Sequence, residues 1–326
     1  MQGRLKFVGF IVSAVLSAIA PGSNAQEYPV KPVKIVVTLS PGSTSDILAR
    51  VLGNQLSKQL GQSFVIENRP GAGGMLAAEA VAKAPADGYT LLGNSIATHG
   101  IGPSLYPKLS FDPMRDFAPV ALVASSPNVL IVGTGVAART VPELIALIRA
   151  APERFTFSSG GNGTSHHMAG ELFGTLIGVR GVHVPYKGTP EAVNAVVTGD
   201  VLLMFPNAPN AVGLAKGGKL RALAVATPRP VSWWPELPTV AEAGVAGFDV
   251  TAWFGFAAPA GTPEAILRRL NSELNKAILV PSVREALVNQ GFEILPAGTP
   301  EAFGEFMRAE KEKWARVIRS SGAKVE

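Results

Sequence analysis

The sequence predicts an α/β protein of two lobes, joined by two crossings of the chain and closing about a hinge cleft. Three observations carry this. Strand-like and helix-like segments alternate along most of the chain, the signature of α/β units with mostly parallel sheets. Several strands end in turns rich in Gly, Ser, Thr and Asn, where such sheets hold ligands. Near Gly247 the alternation stops, and one long apolar strand is followed by helices that have no sheet of their own to cover.

Val33 to Leu39 is an apolar, β-branched run that reads as the first strand. Ser40-Pro41-Gly42 breaks it and Ser43-Thr44-Ser45-Asp46 opens a helix, with Ser43 and Asp46 at capping-box spacing. Ile47, Leu48, Val51, Leu52, Leu56 and Leu60 give that helix one apolar face. Ser63 to Glu67 reads as a strand, Gly74 to Lys83 as a helix and Thr90 to Gly93 as a strand. After a Pro-rich link come strands at Val120 to Ala124 and Val129 to Val132. Amphipathic helices at Val141 to Ala150 and Ser165 to Ile177 flank a strand at Phe155 to Ser158. Short strands at Val182 to Val184 and Val201 to Phe205 flank the helix Pro190 to Thr198, and Leu220 to Ala226 closes the series. Phe248 to Ala258 is the long strand. Helices Pro263 to Leu279, Ser282 to Gln290 and Pro300 to Ser321 follow, interrupted by a strand at Phe292 to Leu295. These late helices need the sheet that the first hundred or so residues supply. The expected lobes are therefore 26–125 plus 250–326, and 126–249, with crossings near Ala124–Pro127 and Asp249–Phe254.

Residues 1–25 have the three parts of a secretory signal peptide: Arg4 and Lys6, an apolar run of 14 residues from Phe7 to Ala20, and Ser23-Asn24-Ala25 before Gln26. The apolar run is short for a bilayer span. The chain has no Cys, which excludes a lipid-modified cysteine and any disulfide. Beyond the signal the net charge is about +3, with the basic residues scattered apart from Lys311, Lys313, Arg316 and Arg319. Basic runs interleaved with aromatics are absent, which argues against a nucleic-acid partner. The expectation is a soluble, exported protein in the periplasm.

Four turns stand out: Ser40–Ser45, Gly93–Gly100, Ser158–Ser165 and Phe205–Asn210. A strand that ends in a small-residue turn at a helix N-terminus leaves backbone N–H groups free for a carboxylate or phosphate. Several such turns converging from both lobes favour an anion clamp. Other motifs fall short. Gly71-Ala72-Gly73-Gly74 fails the dinucleotide pattern because Leu76 holds its last position. His167 and Glu171 lie four apart on one helix face, but no second ligand pair accompanies them, so no metal and no other cofactor is expected. No G-x-S-x-G elbow occurs, and Ser159 or Ser165 near His166 reads as a capping or hydrogen-bonding group before a nucleophile.

These turns, in this order, resemble the substrate-binding proteins of tripartite tricarboxylate transporters, the Bug family. The likeness rests on Tyr28-Pro29-Val30-Lys31-Pro32, Glu67 to Gly74, Ala84 to Leu91, Val182 to Gly188, Pro238 to Gly244, Trp253-Phe254-Gly255 and Ala258 to Pro263. It covers essentially the whole mature chain. The resemblance implies a type II-like periplasmic binding protein without catalytic activity, closing over a small mono-, di- or tricarboxylate. It also implies delivery to the permease subunits of a membrane transporter, and a monomer is expected. Carried over, the ligand contacts fall on Ser43, Thr44 and Asp46, on Ser95, Thr98 and His99, on Ser159, Gly160, Asn162 and Thr164, and on Asn207. Two departures stand out. Ser43 replaces a Gly of the family's first turn, and Pro206 replaces an Asp of its fourth, which disfavours an amino-acid ligand. Two rivals remain at this point, a ligand-dependent sensor for a signalling partner and a secreted hydrolase or lyase. The second would need a general base, for which the cleft turns offer His99 and His166.

Overall fold

The computed structural model describes residues 28–321 and residue 324. The proposed signal peptide lies outside the described residues. Two sheets organise the chain. The first begins with β1 (Val33–Val37), α1 (Thr44–Leu60), β2 (Phe64–Asn68), α2 (Met75–Ala82) and β3 (Thr90–Ser95). A π-helical segment, Ile96–Ile101, and the short α3 (Gly102–Leu105) lead to β4 (Phe117–Pro127). The second sheet takes β5 (Val129–Gly133), α4 (Val141–Ala150), β6 (Thr156–Ser159), α5 (Ser165–Ile177) and β7 (Val182–Pro185). It continues through α6 (Thr189–Thr198), β8 (Leu203–Met204), α7 (Ala208–Lys216) and β9 (Leu220–Val225). The chain then returns to the first sheet with β10 (Thr251–Pro259), α8 (Glu264–Leu279), α9 (Pro281–Val288), β11 (Glu293–Ile294) and α10 (Pro300–Ser321).

The strand orders are β11-β4-β10-β3-β1-β2 and β7-β6-β8-β5-β9. The expectation of mostly parallel sheets is corrected here. β1 runs parallel to β2 and β3, and β6 to β7 and β8. β10, however, is antiparallel to both β3 and β4, β11 is antiparallel to β4, and β5 is antiparallel to β8 and β9. The reason is the direction of entry. βαβ units bring each strand back to start at the outer end of its sheet. β5 and β10 instead enter by the crossings from the other sheet, so they start at the shared end and run outward; the two-residue β11, which follows α9, is not explained in this way.

Two connections tie the sheets side by side. Asn128 alone separates β4 from β5. The return connection passes it closely: Ala226 donates its N–H to Asn128 O at 2.8 Å, and Val250 donates to Ala226 O at 2.9 Å. Thr251 then pairs with Pro127 across the β4–β10 ladder.

Helix α1 buries Leu48, Leu52 and Leu56 against the first sheet, each such side chain contributing about 1.5–3 kcal/mol of apolar transfer. The C-terminal helices cover the same sheet, as their amphipathic pattern requires. Trp314 of α10 is fully buried, and Glu310 accepts from the indole N–H groups of both Trp253 and Trp314 at 2.9 and 3.1 Å. Under the second sheet the rings of Phe155, Phe157, Phe173, Phe205 and Phe248 meet in tilted, stacked and edge-on pairs. Among the described residues, no helix is long and apolar enough to cross a membrane.

A cleft lined by four helix N-termini

The first turn joins β1 to α1. Ser43 is the N-cap, but its side chain caps nothing. The expected capping box is replaced by a different closure, in which Asp46 accepts from the N–H of Gly42 at 2.9 Å and the Ser43 hydroxyl pairs with Ser45 at 3.3 Å. Asp46 lacks the reach of Glu, so it closes the turn through Gly42, whose positive φ of 79° folds the chain back. Asn68 and Arg50 complete the Asp46 carboxylate at 2.9 and 3.0 Å. Burial alone would raise its pKa, but the bonds from Arg50, Gly42 and Asn68 hold it below the usual carboxylate range. Asp46 thus anchors the turn within its own lobe.

The third turn joins β6 to α5. Ser159 Oγ is 2.6 Å from His183 Nε2 and also bonds the backbone of Gly161. Thr164 caps α5, accepting from His167 N at 3.3 Å and donating to Gly161 O at 2.8 Å. Gly160 donates its N–H to His166 Nδ1 at 3.3 Å. An amide N–H can only donate, so the proton of His166 sits on Nε2, which reaches Asn207 Oδ1 at 2.9 Å. Asn207, the N-cap of α7, passes the order on by donating to Asn128 Oδ1 at 3.2 Å. Burial, opposed by the Asn207 bond, pushes the His166 pKa down to about 4. Both nitrogens of this ring are committed, so it is no free general base.

The second turn lies beside these. Thr98 Oγ1 accepts from Ser95 N at 3.2 Å and donates to Ser95 O at 3.0 Å. Its one proton being spent, His99 Nδ1, 2.9 Å away, is the donor of that contact. The His99 ring sits edge-on to Phe117 inside the first lobe, and burial lowers its pKa to about 3.

The two lobes touch along this seam. Thr44 donates Oγ1–H to Asn210 Oδ1 at 2.7 Å, and Asn210 donates to Gly42 O at 2.8 Å. Tyr106 donates its hydroxyl to Asn162 O at 3.0 Å. Glycines permit the approach: a Cβ on Gly188 would lie 1.6 Å from Ser40 Oγ, and one on Gly73 would lie 1.9 Å from Asn162 O. Within the second lobe, a Cβ on Gly160 would lie 3.2 Å from Thr189 N, at the start of α6. The N-termini of α1, α5, α6 and α7 therefore converge on one buried seam, each bringing about half a positive charge. Among the described residues no Lys or Arg is buried, whereas Ser43, Thr44, Ser159, Thr164, Ser165 and Thr189 are. Thr189 Oγ1 and Ser126 Oγ are buried without a partner. Bordering the seam, and sharing Gly42 and Asn210 with it, lies a groove of about 600 Å³ that Ile47, Pro190, Val193 and Leu214 also line.

Sequence reasoning did not single out Asn128, Asn210, Tyr106, Gly188 or Thr189. Two carried a signal, Asn210 as the last residue of the fourth turn and Gly188 as the last of the run Val182 to Gly188. Among the described residues no group of three or more His, Asp or Glu side chains is placed to hold a metal ion.

Two α/β lobes meeting over helix N-termini define a solute-binding receptor. Comparison with known proteins agrees. The model of the tripartite tricarboxylate transporter family receptor matches residues 48–323, and the chain belongs to that family, whose members are receptors and not enzymes. It is 35% identical over 327 residues to Protein BugT of Bordetella pertussis, covering 100% of this chain and 99% of the relative. It is similar to the Rhodopseudomonas palustris protein Rpa4515, solved with adipate, with a TM-score of 0.87 and 36% identity over 91% of this chain and 100% of that one. MatC of the same organism, solved with bound malate, gives a TM-score of 0.84 and 33% identity over 89% of this chain and 100% of that one.

Proposed function

We propose that this receptor captures a small organic carboxylate in the seam between the lobes 26–125 plus 250–326 and 126–249, and closes over it by hinge motion. The observation that carries this is the convergence of four helix N-termini where no Lys or Arg is buried among the described residues. Backbone donors hold an anion without desolvating a cationic side chain, and closure excludes the water that would weaken each bond. The ligand contacts assigned above agree with this at the level of the backbone. Several of their side chains, those of Asp46, Thr98, Ser159, Thr164 and Asn207, already have protein partners, so they shape the turns and leave the N–H groups to the ligand. Adipate and malate in the relatives point to the same chemistry. The protein is exported by the cleavable signal 1–25 and works in the periplasm as a monomer. It passes its ligand to the permease subunits of a tripartite transporter.

A thermal-shift screen of the mature protein against mono-, di- and tricarboxylates, aromatic acids included, tests the reading. A ligand that binds only the native state raises the midpoint in a concentration-dependent way. A panel in which no carboxylate moves the midpoint overturns it.

A further inference from the structure

Asn128 holds two positions at once. It is the one residue between the strand that ends in the first sheet and the strand that begins the second. Its side chain, 0% exposed, also reaches the residues at the N-termini of α5 and α7. Asn128 Nδ2 donates to Phe205 O at 2.6 Å and lies 3.3 Å from Ser165 Oγ, while Oδ1 accepts from Asn207 Nδ2 at 3.2 Å. Together with the bonds already described, every donor in the sequence Gly160 N–H, His166 Nε2–H, Asn207 Nδ2–H, Asn128 Nδ2–H points the same way. The chain starts at the third turn and ends beside the crossing. None of its members can be reversed alone, because Gly160 N can only donate and Phe205 O can only accept.

We propose that Asn128 is a positioning residue, coupling the angle between the lobes to the geometry of the third turn through Asn207 and His166. The inference rests on the hinge-closing reading above. Rotation at the crossing strains the side-chain bond from Asn207 to Asn128, while a backbone bridge between the same two residues keeps them within reach of each other. That bond then stretches or reorients, and the Nε2–H tautomer that leaves Nδ1 open to Gly160 loses its support. Conversely, a ligand that fixes the third turn fixes Asn207 and, through it, the crossing.

The absence of native Cys makes the test direct. Spin labels on Lys58→Cys and Arg180→Cys, exposed positions on opposite lobes, report the distance between lobes, and ¹⁵N NMR reports the His166 tautomer. Asn128→Leu removes both ends of the bridge. It is expected to lower the closed population at least twofold and to release His166 from the pure Nε2–H form. Asn128→Asp keeps the acceptor for Asn207, so the tautomer is retained while the loss of the bond to Phe205 loosens the crossing. Asn207→Asp, which keeps the acceptor for His166 but cannot donate to Asn128, covers the case in which the Leu variant does not fold. It should move the distance and spare the tautomer.

Adipate and malate added to labelled wild type separate two kinds of failure. A distance that answers to either acid but not to the Asn128 and Asn207 variants overturns the coupling. So does a distance that moves in Asn128→Leu with the tautomer untouched. A distance that answers to neither acid nor any substitution overturns hinge closure itself, and this inference with it.

Discussion

Replacing Gly188 by Ala should disable closure while leaving each lobe intact. Gly188 has φ −164° and ψ 167°, extended backbone that alanine adopts freely, so the substitution brings no strain of its own. What it brings is a methyl carbon 1.6 Å from Ser40 Oγ and 2.6 Å from Ser40 Cβ, across the seam. The hydroxyl can rotate away, but the Cβ cannot, so the lobes must part by about 1 Å to restore ordinary contact. Overpacking of this kind costs about 1–3 kcal/mol. If that cost falls only on the closed state, carboxylate affinity drops roughly 5- to 150-fold, while the ligand-free unfolding midpoint stays near that of wild type. Ser40→Gly removes both offending atoms, so the double variant should recover most of the loss. Titration calorimetry with the tightest acid from the screen, together with ligand-free thermal unfolding, measures both quantities. Wild-type affinity in Gly188→Ala, or a double variant no better than the single one, would refute the argument.

Three further outcomes are expected. Burial holds the His99, His166 and His183 pKa values near 3, 4 and 3, with His167 adding to the lowering at His183. Unfolded imidazoles titrate near 6.5, so between these limits the unfolded chain carries more protons and stability rises with pH. The stabilisation is complete above about pH 6.5 and is lost as pH falls toward the folded values, by up to about 2 kcal/mol per ring at pH 5. Urea midpoints at pH 7 and 5 read this directly, and equal midpoints would contradict it. Ser43→Ala should weaken binding by about 0.5–1.5 kcal/mol, the worth of one ordinary hydrogen bond. Thr44→Pro, which deletes an N–H and the bond to Asn210, should cost more, whereas Lys187→Ala should change little. Calorimetry that ranks Lys187 first would mean a side-chain cation holds the ligand. Gly170→Ala places a Cβ 2.1 Å from the Phe157 ring and should lower folding stability by about 1–3 kcal/mol. An unchanged urea midpoint would show that the helix and ring can slide apart without cost.

Much of this architecture is written in local signals. The β1 to α1 turn was legible because a β-branched run, Ser-Pro-Gly and an apolar helix face follow one another within a short stretch. Helices α4 and α5 were legible end to end for the same reason. Helix α7 was not, because Pro206 and Pro209 look like turn residues. Pro209 in fact occupies the first turn of the helix, where a missing N–H costs nothing. Strand direction escaped too, since periodicity is the same whichever way a strand runs. At the site, the turns were visible but their partners were not. The Thr44–Asn210 bond spans 166 residues and the Asn207–Asn128 bond spans 79, and no local pattern announces either.

The place of β10 in the first sheet has a consequence for the birth of the molecule. β3 and β4 are separated in the sheet by β10 and bond to it on either side. Until residues 251–259 emerge, those two strands lack their common neighbour, and α8 and α10 are not yet there to cover them. The second sheet draws all its strands from 129–225 and has no such wait. During refolding, amides of β5 and β6 should therefore gain hydrogen-exchange protection ahead of those in β3, because non-local pairing must first meet the entropy of closing a long loop. A nascent chain with an unfinished first sheet stays unlocked until almost its last segment is made, a delay that would serve the export proposed above.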